Sequence, residues 1–392
     1  MKKVFLTTIA LLSIASASVF GMYGANSGWI NFLTHGNQFR ARMEQLGFTL
    51  GNDTIKGTFG FFNDGRGTAY GSMLSLSSNA SDLYYDFTPT ISMGLAYTSS
   101  LISVGVGYNA TIGPNWTKIN GKKTEAVVHT PVLVLNAMDN AFRMAIPIQV
   151  VNLTDKFEGA KGSVTAVSLD AQFRYYTGLD FLPQIRLFIK YGKYGMQFSG
   201  GGEKFKETFA ESFGFDFRLY FGAMVEEVAL QPYIKLAYNG ALGKQHSKRS
   251  VTAIDALNDS ADFANQLVSS FANSGSGTEP TTTYGGNEAW KKGAWDLTLA
   301  PTLGLTANSD VVSLYFEPSL GLQIIQPGSA TDDKVKEIYS LAWGAYAEIY
   351  ITPLKNLEWY FEANVNNNAA NGAITPVKFA ASTGITWYLP AL

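Results

Sequence analysis

Thirteen charged residues fall on the polar face of segments in which apolar and polar residues alternate. The first eight lie mid-chain and are mostly basic, and the last five lie further on and are all acidic. If they line one cavity, a basic wall beside an acidic wall would create a field that orients polar solutes. The alternative is that these charges only neutralise one another inside a wet interior. The thirteen are Arg143, Asp170, Arg174, Arg186, Lys190, Asp216, Arg218, Lys235, Asp296, Glu317, Glu348, Glu358 and Glu362.

The sequence offers little support for catalysis or metal binding. The chain has no cysteine, which excludes disulfides and thiolate metal sites, and its three histidines, His35, His129 and His246, are scattered. Only His129 lies on an alternating segment, and nothing around it resembles the positioned serine that a serine–histidine hydrolase needs. The run Gly200–Gly202 lacks the Lys-Ser/Thr of a phosphate-binding loop. We therefore predict no enzyme activity, no catalytic residue, no metal and no cofactor.

The overall composition is unusual for a soluble domain. Apolar residues make up 46% of the 392 residues and aromatic residues 14%, whereas charged residues make up only 15%. Soluble domains contain about a quarter charged residues. The formal net charge of −2 argues against a nucleic-acid partner, because such a partner requires a basic surface.

The charged residues are carried by long segments of strict alternation, and the clearest spans residues 209–238. There Phe213 and Phe215 fall on one face, and Asp216 and Arg218 fall on the other. A period of two indicates an extended strand with one apolar and one polar face. A short link divides this segment into two arms, which predicts an antiparallel hairpin.

Similar segments fill most of the chain and predict an all-β fold of about sixteen strands, within a range of about 14–18. We predict the first strand over Asn37–Leu50, with a phase slip near Gln45 interpreted as a β-bulge, and a weaker strand over Thr68–Ser77. From the fourth strand on, short links alternate with long ones such as Gly113–Thr124 and Asn152–Gly162. An up-and-down sheet would collect the short turns at one end and the long loops at the other.

One long loop, residues 239–292, interrupts the alternation. Within it, Ser250–Asn273 has apolar residues at spacings of three and four, which is the period of a helix. Two interpretations stay open. The helix folds into the interior and narrows it, or it lies on the outer rim or against a neighbouring subunit. We favour the first, because long ordered loops tend to be functional.

The N-terminus has the pattern of an export signal. Lys2 and Lys3 precede an apolar run that ends in small residues, so we predict a signal peptide over residues 1–17. Residues 18–36 form an irregular leader, in which Trp29 and Phe32 are expected to pack against another part of the protein. Residues 37–392 form the strand domain, and no later stretch approaches the ~20 apolar residues of a spanning helix.

Three features predict a closed, antiparallel transmembrane β-barrel. The strands are long enough to cross a bilayer when tilted, their polar faces carry small polar residues with few charges, and the links are sorted by length. Aromatic residues on the apolar faces form two bands, as headgroup girdles require. One band lies near the short turns, with Tyr97, Tyr175, Phe221, Trp359 and Trp387, and the other near the long loops, with Tyr108, Tyr191, Phe209, Tyr238, Trp295 and Tyr339.

On this hairpin pattern and its aromatic last strand, Phe379–Leu389, the chain resembles the outer-membrane β-barrel porins. The resemblance implies a bacterial outer-membrane location, contact with outer-membrane lipids, and a homotrimer. It also implies a charged channel through which ions and small hydrophilic solutes diffuse passively. The alternatives are a structural or adhesive surface barrel with a blocked lumen, and a substrate-selective transporter.

Overall fold

The structure, a computed structural model, describes most of the strand domain and part of the leader. The described residues are 26–42, 45–63, 89–112, 116–119, 122–124, 127–157, 160–200, 203–225, 228–242, 248–253, 291–329, 331–367 and 377–390. The predicted signal peptide (residues 1–17), the predicted strand over Thr68–Ser77 and nearly all of the predicted helix over Ser250–Asn273 lie outside them. No helix within the described residues is long and apolar enough to cross a bilayer.

Apart from one short 3-10 helix, Asn26–Asn31, the described elements are strands. The first ten are β1 (Gln38–Arg42), β2 (Gln45–Gly51), β3 (Ile55–Asn63), β4 (Pro89–Tyr97), β5 (Ile102–Ile112), β6 (Trp116–Ile119), β7 (Lys122–Thr124), β8 (Val127–Ala137), β9 (Phe142–Phe157) and β10 (Ala160–Tyr176). The remaining nine are β11 (Gln184–Gly200), β12 (Glu203–Tyr220), β13 (Ala223–Val225), β14 (Val228–Ala241), β15 (Trp295–Asn308), β16 (Val312–Gln326), β17 (Ile338–Leu354), β18 (Leu357–Asn367) and β19 (Val377–Tyr388).

The strands form one closed antiparallel barrel. Each barrel strand pairs with the next along the chain, and β1 pairs with β19, which joins the two ends of the sheet. Strands β6 and β7 form a separate hairpin, and β13 continues the line of β12 along β14. The described residues therefore form a barrel of sixteen strands, counting β12 and β13 as one, in agreement with the prediction. Closure leaves no sheet edge around the barrel wall.

The two faces of the barrel wall differ as the alternation predicted. Phe213 and Phe217 lie outside, whereas Asp216 is buried inside and Arg218 lies beside it. Inward positions carry buried polar residues such as Ser92 and Gln149. Apolar side chains are exposed on the outside of every part of the wall, among them Met93, Leu95, Val106, Leu133, Ile148, Val167, Phe213, Ile234, Leu299, Leu320, Leu341 and Ile385. Such an exterior suits hydrocarbon and not water.

The links of nine residues or more all lie at one end of the barrel, together with the two-residue links at 43–44, 158–159 and 201–202. The chain termini meet at the short-turn end, where Gln38 is opposite Tyr388. This end also holds the links at 52–54, 98–101, 138–141, 309–311 and 355–356, whereas the long links at 64–88, 113–126, 242–294, 327–337 and 368–376 fall at the other end.

The predicted first strand, Asn37–Leu50, was wrong. It is a hairpin of two strands, in which Ala41 lies opposite Leu46. The phase slip near Gln45 therefore marks a chain reversal and not a bulge. No Gly, Pro, Asn or Asp lies between Ala41 and Leu46 to indicate a turn.

The predicted loop over Asn152–Gly162 was also wrong, because β9 and β10 continue through it. Their ladder runs outward to the pair Ala160 and Phe157. Strands β9 to β12 contain 16, 17, 17 and 18 residues, whereas about 9–11 residues suffice to cross a bilayer. These four strands therefore project beyond the membrane at the long-loop end as a sheet.

Candidate functional site

Residues 26–36, here called the plug, pack against the inner wall of the barrel. Trp29, Ile30 and Phe32 are completely buried. They form an apolar cluster with wall residues of β4, β8 and β9, namely Ala96, Val132, Val134 and Ala145. Burial of each large apolar side chain contributes about 1.5–3 kcal/mol. The prediction that the leader packs against another part of the protein is confirmed.

Small residues of β4 and β5 make the recess that receives the Trp29 ring. Gly94 and Gly107 are cross-strand partners, and a Cβ atom on either would overlap this ring. A Cβ atom on Gly105 would lie 3.2 Å from the Leu33 side chain. The indole Nε1 of Trp29 donates to Asn109 Oδ1 at 3.2 Å.

Basic residues of the wall hold the polar side of the plug. Lys56 Nζ donates to the carbonyl oxygens of Leu33 at 2.8 Å and His35 at 2.6 Å. Arg174 Nη1 donates to Asn31 Oδ1 at 3.0 Å, and Arg143 Nη1 donates to the Thr34 hydroxyl at 3.3 Å. The plug is thus fixed by both apolar and polar contacts.

We expect docking of the plug to depend on pH through His35. Burial, followed by the nearby cations of Arg40, Lys56, Arg143 and Arg174, holds the pKa of His35 well below its ordinary value. The released plug therefore binds the proton more readily, so docking is fully stable above about pH 6.5 and weakens as the pH falls below it. We expect the thermal midpoint of the wild type to fall more steeply from pH 7 to pH 5 than that of His35→Gln. If the thermal midpoints of the two proteins fell equally between pH 7 and pH 5, the prediction would be contradicted.

A second inward segment, residues 248–253 of the long loop and here called the inward loop, lies along the inner wall of the barrel. Val251 N donates to Ser212 Oγ of β12 at 2.8 Å, and Ala253 N donates to Ser168 Oγ of β10 at 3.0 Å. Between these two strands the Val251 carbonyl lies directly against Gly192 of β11, where no side chain could fit. These six residues therefore lie on the lumen side of the wall, and residues 250–252 are not helical. The rest of the predicted helix lies outside the described residues, so its position stays a prediction.

All thirteen charged residues singled out in the sequence lie on inward positions of their strands. Five of them form one cross-strand row over β9, β10, β11, β12 and β14: Arg143, Arg174, Arg186, Arg218 and Lys235. Like charges directly opposite each other are unfavourable in a sheet. Such a row is a functional candidate for that reason.

Asp216 is the carboxylate that pairs with cations of this row. It binds Arg218 through two hydrogen bonds of 2.8 Å, and its Oδ2 lies 3.7 Å from Lys235 Nζ. Asp170 and Lys190 are cross-strand partners nearer the inward loop. The inner faces of β9 to β14 therefore carry some paired charges, but more cations than carboxylates.

The acidic residues lie on β15 to β18 and have varied partners. Asp296 Oδ2 lies 3.5 Å from Arg249 Nε of the inward loop, and Glu362 Oε2 lies 3.5 Å from Arg42 Nη2. Tyrosine hydroxyls donate to the other three: Tyr233 and Tyr315 to Glu317, Tyr346 to Glu348, and Tyr388 to Glu358. The charges are thus segregated by sign along the wall and some of them are paired, and the choice between the two interpretations stays a prediction.

Sequence reasoning missed two groups of inward residues. Arg40, Arg42 and Lys56 add to the basic side, but the misread first strand obscured the first two. Inward tyrosines were also missed, because aromatic residues were assigned to the exterior. Their position in the polar phase of each strand was the available signal. They are Tyr176, Tyr194, Tyr315, Tyr346, Tyr350, Tyr360 and Tyr388. The alternation already places Tyr220 and Tyr233 on the polar face.

His129 lies on the outside of β8, where it shares a hydrogen bond with the hydroxyl of Tyr108. Within the described residues, no three His, Cys, Asp or Glu side chains are grouped so that they could hold a metal ion.

The chain is similar to several known proteins. The family model of the Serpulina hyodysenteriae variable surface protein matches residues 2–388. No curated protein matches the sequence.

Among solved structures, OmpT, an outer membrane protein of Vibrio cholerae, is similar with a TM-score of 0.32, 8% identity, and coverage of 85% of this chain and 98% of OmpT. The copper transporter OprC gives a TM-score of 0.41 and 8% identity over 84% of this chain and 56% of OprC. The translocator domain of the autotransporter NalP from Neisseria meningitidis gives a TM-score of 0.31 and 11% identity, with coverage of 98% of each chain.

The closed barrel, its apolar exterior and its charged interior define where the protein resides. Closed antiparallel barrels with an apolar outer belt are the form in which strands span bacterial outer membranes. The protein is therefore a bacterial outer-membrane β-barrel. Since the matching family model covers nearly its whole length, this chain belongs to the family of Serpulina hyodysenteriae variable surface proteins.

Proposed function

We propose that the protein is a narrow, charge-lined channel that passes ions and small hydrophilic solutes across the outer membrane. The observation that carries this proposal is that charged side chains inside a closed barrel are accessible to water. Lys190 is exposed although it points inward, and the side chains of Lys235 and Arg218 are 32% and 23% exposed. A packed interior would leave no such access.

The proposed pathway runs between the two inward segments and the acidic wall. The plug covers the inner faces of β4, β5, β8 and β9, and the inward loop crosses β10 to β12. Strands β14 to β18 carry the remaining charged lining, including Lys235 and Glu317. A solute on this path would experience a field from the basic row toward the acidic strands.

The proposal also includes export by a signal peptide, assembly into a homotrimer and a role for the rest of the long loop. The sequence pattern supports a signal peptide over residues 1–17, and the resemblance to porins supports a homotrimer embedded among outer-membrane lipids. We propose that the helix predicted over Ser250–Asn273 continues the narrowing that begins at residues 248–253. We propose no enzymatic reaction.

A surface role is the second candidate. The sheet formed by the outer parts of β9 to β12 favours it, because these strands extend well past the length needed for the membrane. The family description, a variable surface protein, supports the same idea. In this case the plug and inward loop would close the lumen, and the protein would act through its external face.

Single-channel recording separates the two candidates. We expect stepwise, ohmic currents when the purified, folded barrel is added to a planar bilayer. A folded barrel that inserts but carries no current would overturn the channel and favour the surface role.

The absence of cysteine allows the pathway itself to be probed. A negatively charged methanethiosulfonate reagent should alter the current through Lys190→Cys, because this position faces the water-accessible interior. Val167→Cys, which points outward, is the matched control. Equal responses at both positions would show that Lys190 does not line the pathway.

A further inference from the structure

Three arginines at one end of the basic row are neighbours on the inner wall, and two of them, Arg143 and Arg174, bind the plug. Arg174 is the cross-strand partner of both Arg143 and Arg186, and partners of this kind have Cβ atoms about 4.5–5.5 Å apart. Arg174 and Arg186 are 6% and 8% exposed. The three guanidinium groups are therefore close together and shielded from bulk water.

Their protein partners are neutral. Arg143 donates to the Asn140 carbonyl oxygen and the Thr34 hydroxyl, Arg174 to the Asn31 amide oxygen, and Arg186 to Gln184 Oε1. Within the described residues, the salt bridges of the interior involve other cations, and Asp216 is engaged by Arg218 and Lys235. Three positive charges thus share a buried region without a carboxylate partner.

Hydrogen-bonding groups around these arginines are also unsatisfied. Arg174 Nε, Gln184 Nε2 and both amide atoms of Gln172 are buried without a partner. Gln172 is 1% exposed. Leaving a buried polar group unpaired is costly, and the cost is larger for a charged group. Unpaired donors on the inner face of β10 and β11, on both sides of Arg174, indicate that a ligand completes the site.

The aromatic surroundings limit the shape of that ligand. The Arg143 guanidinium stacks on Tyr176 at 4.6 Å, and that of Arg186 stacks on Tyr220 at 4.5 Å. Stacking holds each guanidinium plane in place while its edge stays available to an acceptor. The plug residues Asn31 and Thr34 cover the site. The ligand must therefore be small, negatively charged and rich in acceptors.

We infer that Arg143, Arg174 and Arg186, with the amides of Gln172 and Gln184, bind a small oxyanion, a phosphate or carboxylate group, between the plug and the barrel wall. Guanidinium groups match the geometry of such oxyanions through paired N–H donors. The bound anion neutralises the cluster and strengthens the attachment of the plug. This site does not require that the barrel conduct, so its test is independent of the proposed channel.

Thermal unfolding of the whole barrel in detergent tests the inference. At pH 7 and constant ionic strength, part of the sodium chloride is replaced by about 20 mM inorganic phosphate or succinate. Ligands that bind only the folded state raise its midpoint, here by about 2–4 °C. A rise with either oxyanion supports the site, and the more effective one identifies the preferred group. No rise with either overturns it.

Variants exclude a general salt effect. Arg186→Gln should abolish the oxyanion-dependent rise, whereas Lys193→Gln, which alters an outward salt bridge on the same strand, should retain it. Gln172→Met provides a second test should Arg186→Gln not fold, because it removes an unpartnered amide and keeps a similar volume. A rise of the same size in the wild type and in the folded site variants would overturn the inference.

Discussion

Replacing Gly107 with valine should release the plug and raise the single-channel conductance at least about twofold, because an unobstructed sixteen-strand barrel encloses an aqueous channel. Gly107 lies on the inner face of β5, and a side chain there would overlap the Trp29 ring. The ring cannot shift sideways, since Gly94 on the neighbouring strand supports it just as closely. The added side chain must therefore displace the plug.

Trp29→Ala tests the same contact from the other side. Loss of a fully buried Trp side chain costs about 3–5 kcal/mol, which weakens docking of the plug without altering the wall. We expect larger or more variable current steps from this variant as well, together with a lower thermal midpoint.

A matched control separates release of the plug from damage to the barrel. Gly57 lies on β3, and a Cβ atom there would make only an ordinary contact of 3.8 Å, so Gly57→Val should leave the conductance unchanged. If folded Gly107→Val gave the wild-type current, the plug would not obstruct the pathway, and the proposed channel would have to run elsewhere.

The sequence predicted the barrel and the inward face well, because both depend on local backbone geometry. In an extended strand, successive side chains point to opposite faces, so one outward residue such as Phe213 determines that Asp216 and Arg218 point inward. The same rule placed all thirteen charged residues correctly on inward positions. Whether they act as a pore lining is a separate matter that stays a prediction.

Features that depend on contacts across the barrel could not be predicted in this way. The alternation shows that Trp29 is apolar but not which wall receives it, although the inward glycines Gly94, Gly105 and Gly107 were an available signal. The extensions of β9 and β10 were missed because strands surrounded by water need no apolar face, and their ladder is set by pairing instead of composition.

The same limit applies to the charges. Nothing in the sequence distinguishes the members of the basic row, but the structure separates them into two groups with different surroundings. Arg143 and Arg174 bind the plug and Arg186 lies next to Arg174, whereas Arg218 and Lys235 are partly exposed and share Asp216. Changing the first group therefore affects attachment of the plug, and changing the second affects the field in the pathway.

The second large effect that we expect is a change of ion selectivity in the double variant Lys190→Glu and Lys235→Glu. These two inward side chains are accessible to water and are not covered by the plug. The exchange replaces two positive charges with two negative ones on the basic side, so the pathway becomes more attractive to cations. In a tenfold potassium chloride gradient, the reversal potential should shift toward the potassium equilibrium value by on the order of 10–30 mV.

Two further variants make this result specific. Lys193→Glu places the same charge change on the outward face of β11 and should leave the reversal potential unchanged. Arg174→Glu should mainly raise the conductance, because it breaks the hydrogen bond to Asn31 and disturbs the plug more than the pathway. A reversal potential that is the same in the double variant and in the wild type would mean that Lys190 and Lys235 do not face the permeating ions, and the basic row would then serve only to hold the plug and the loop in place.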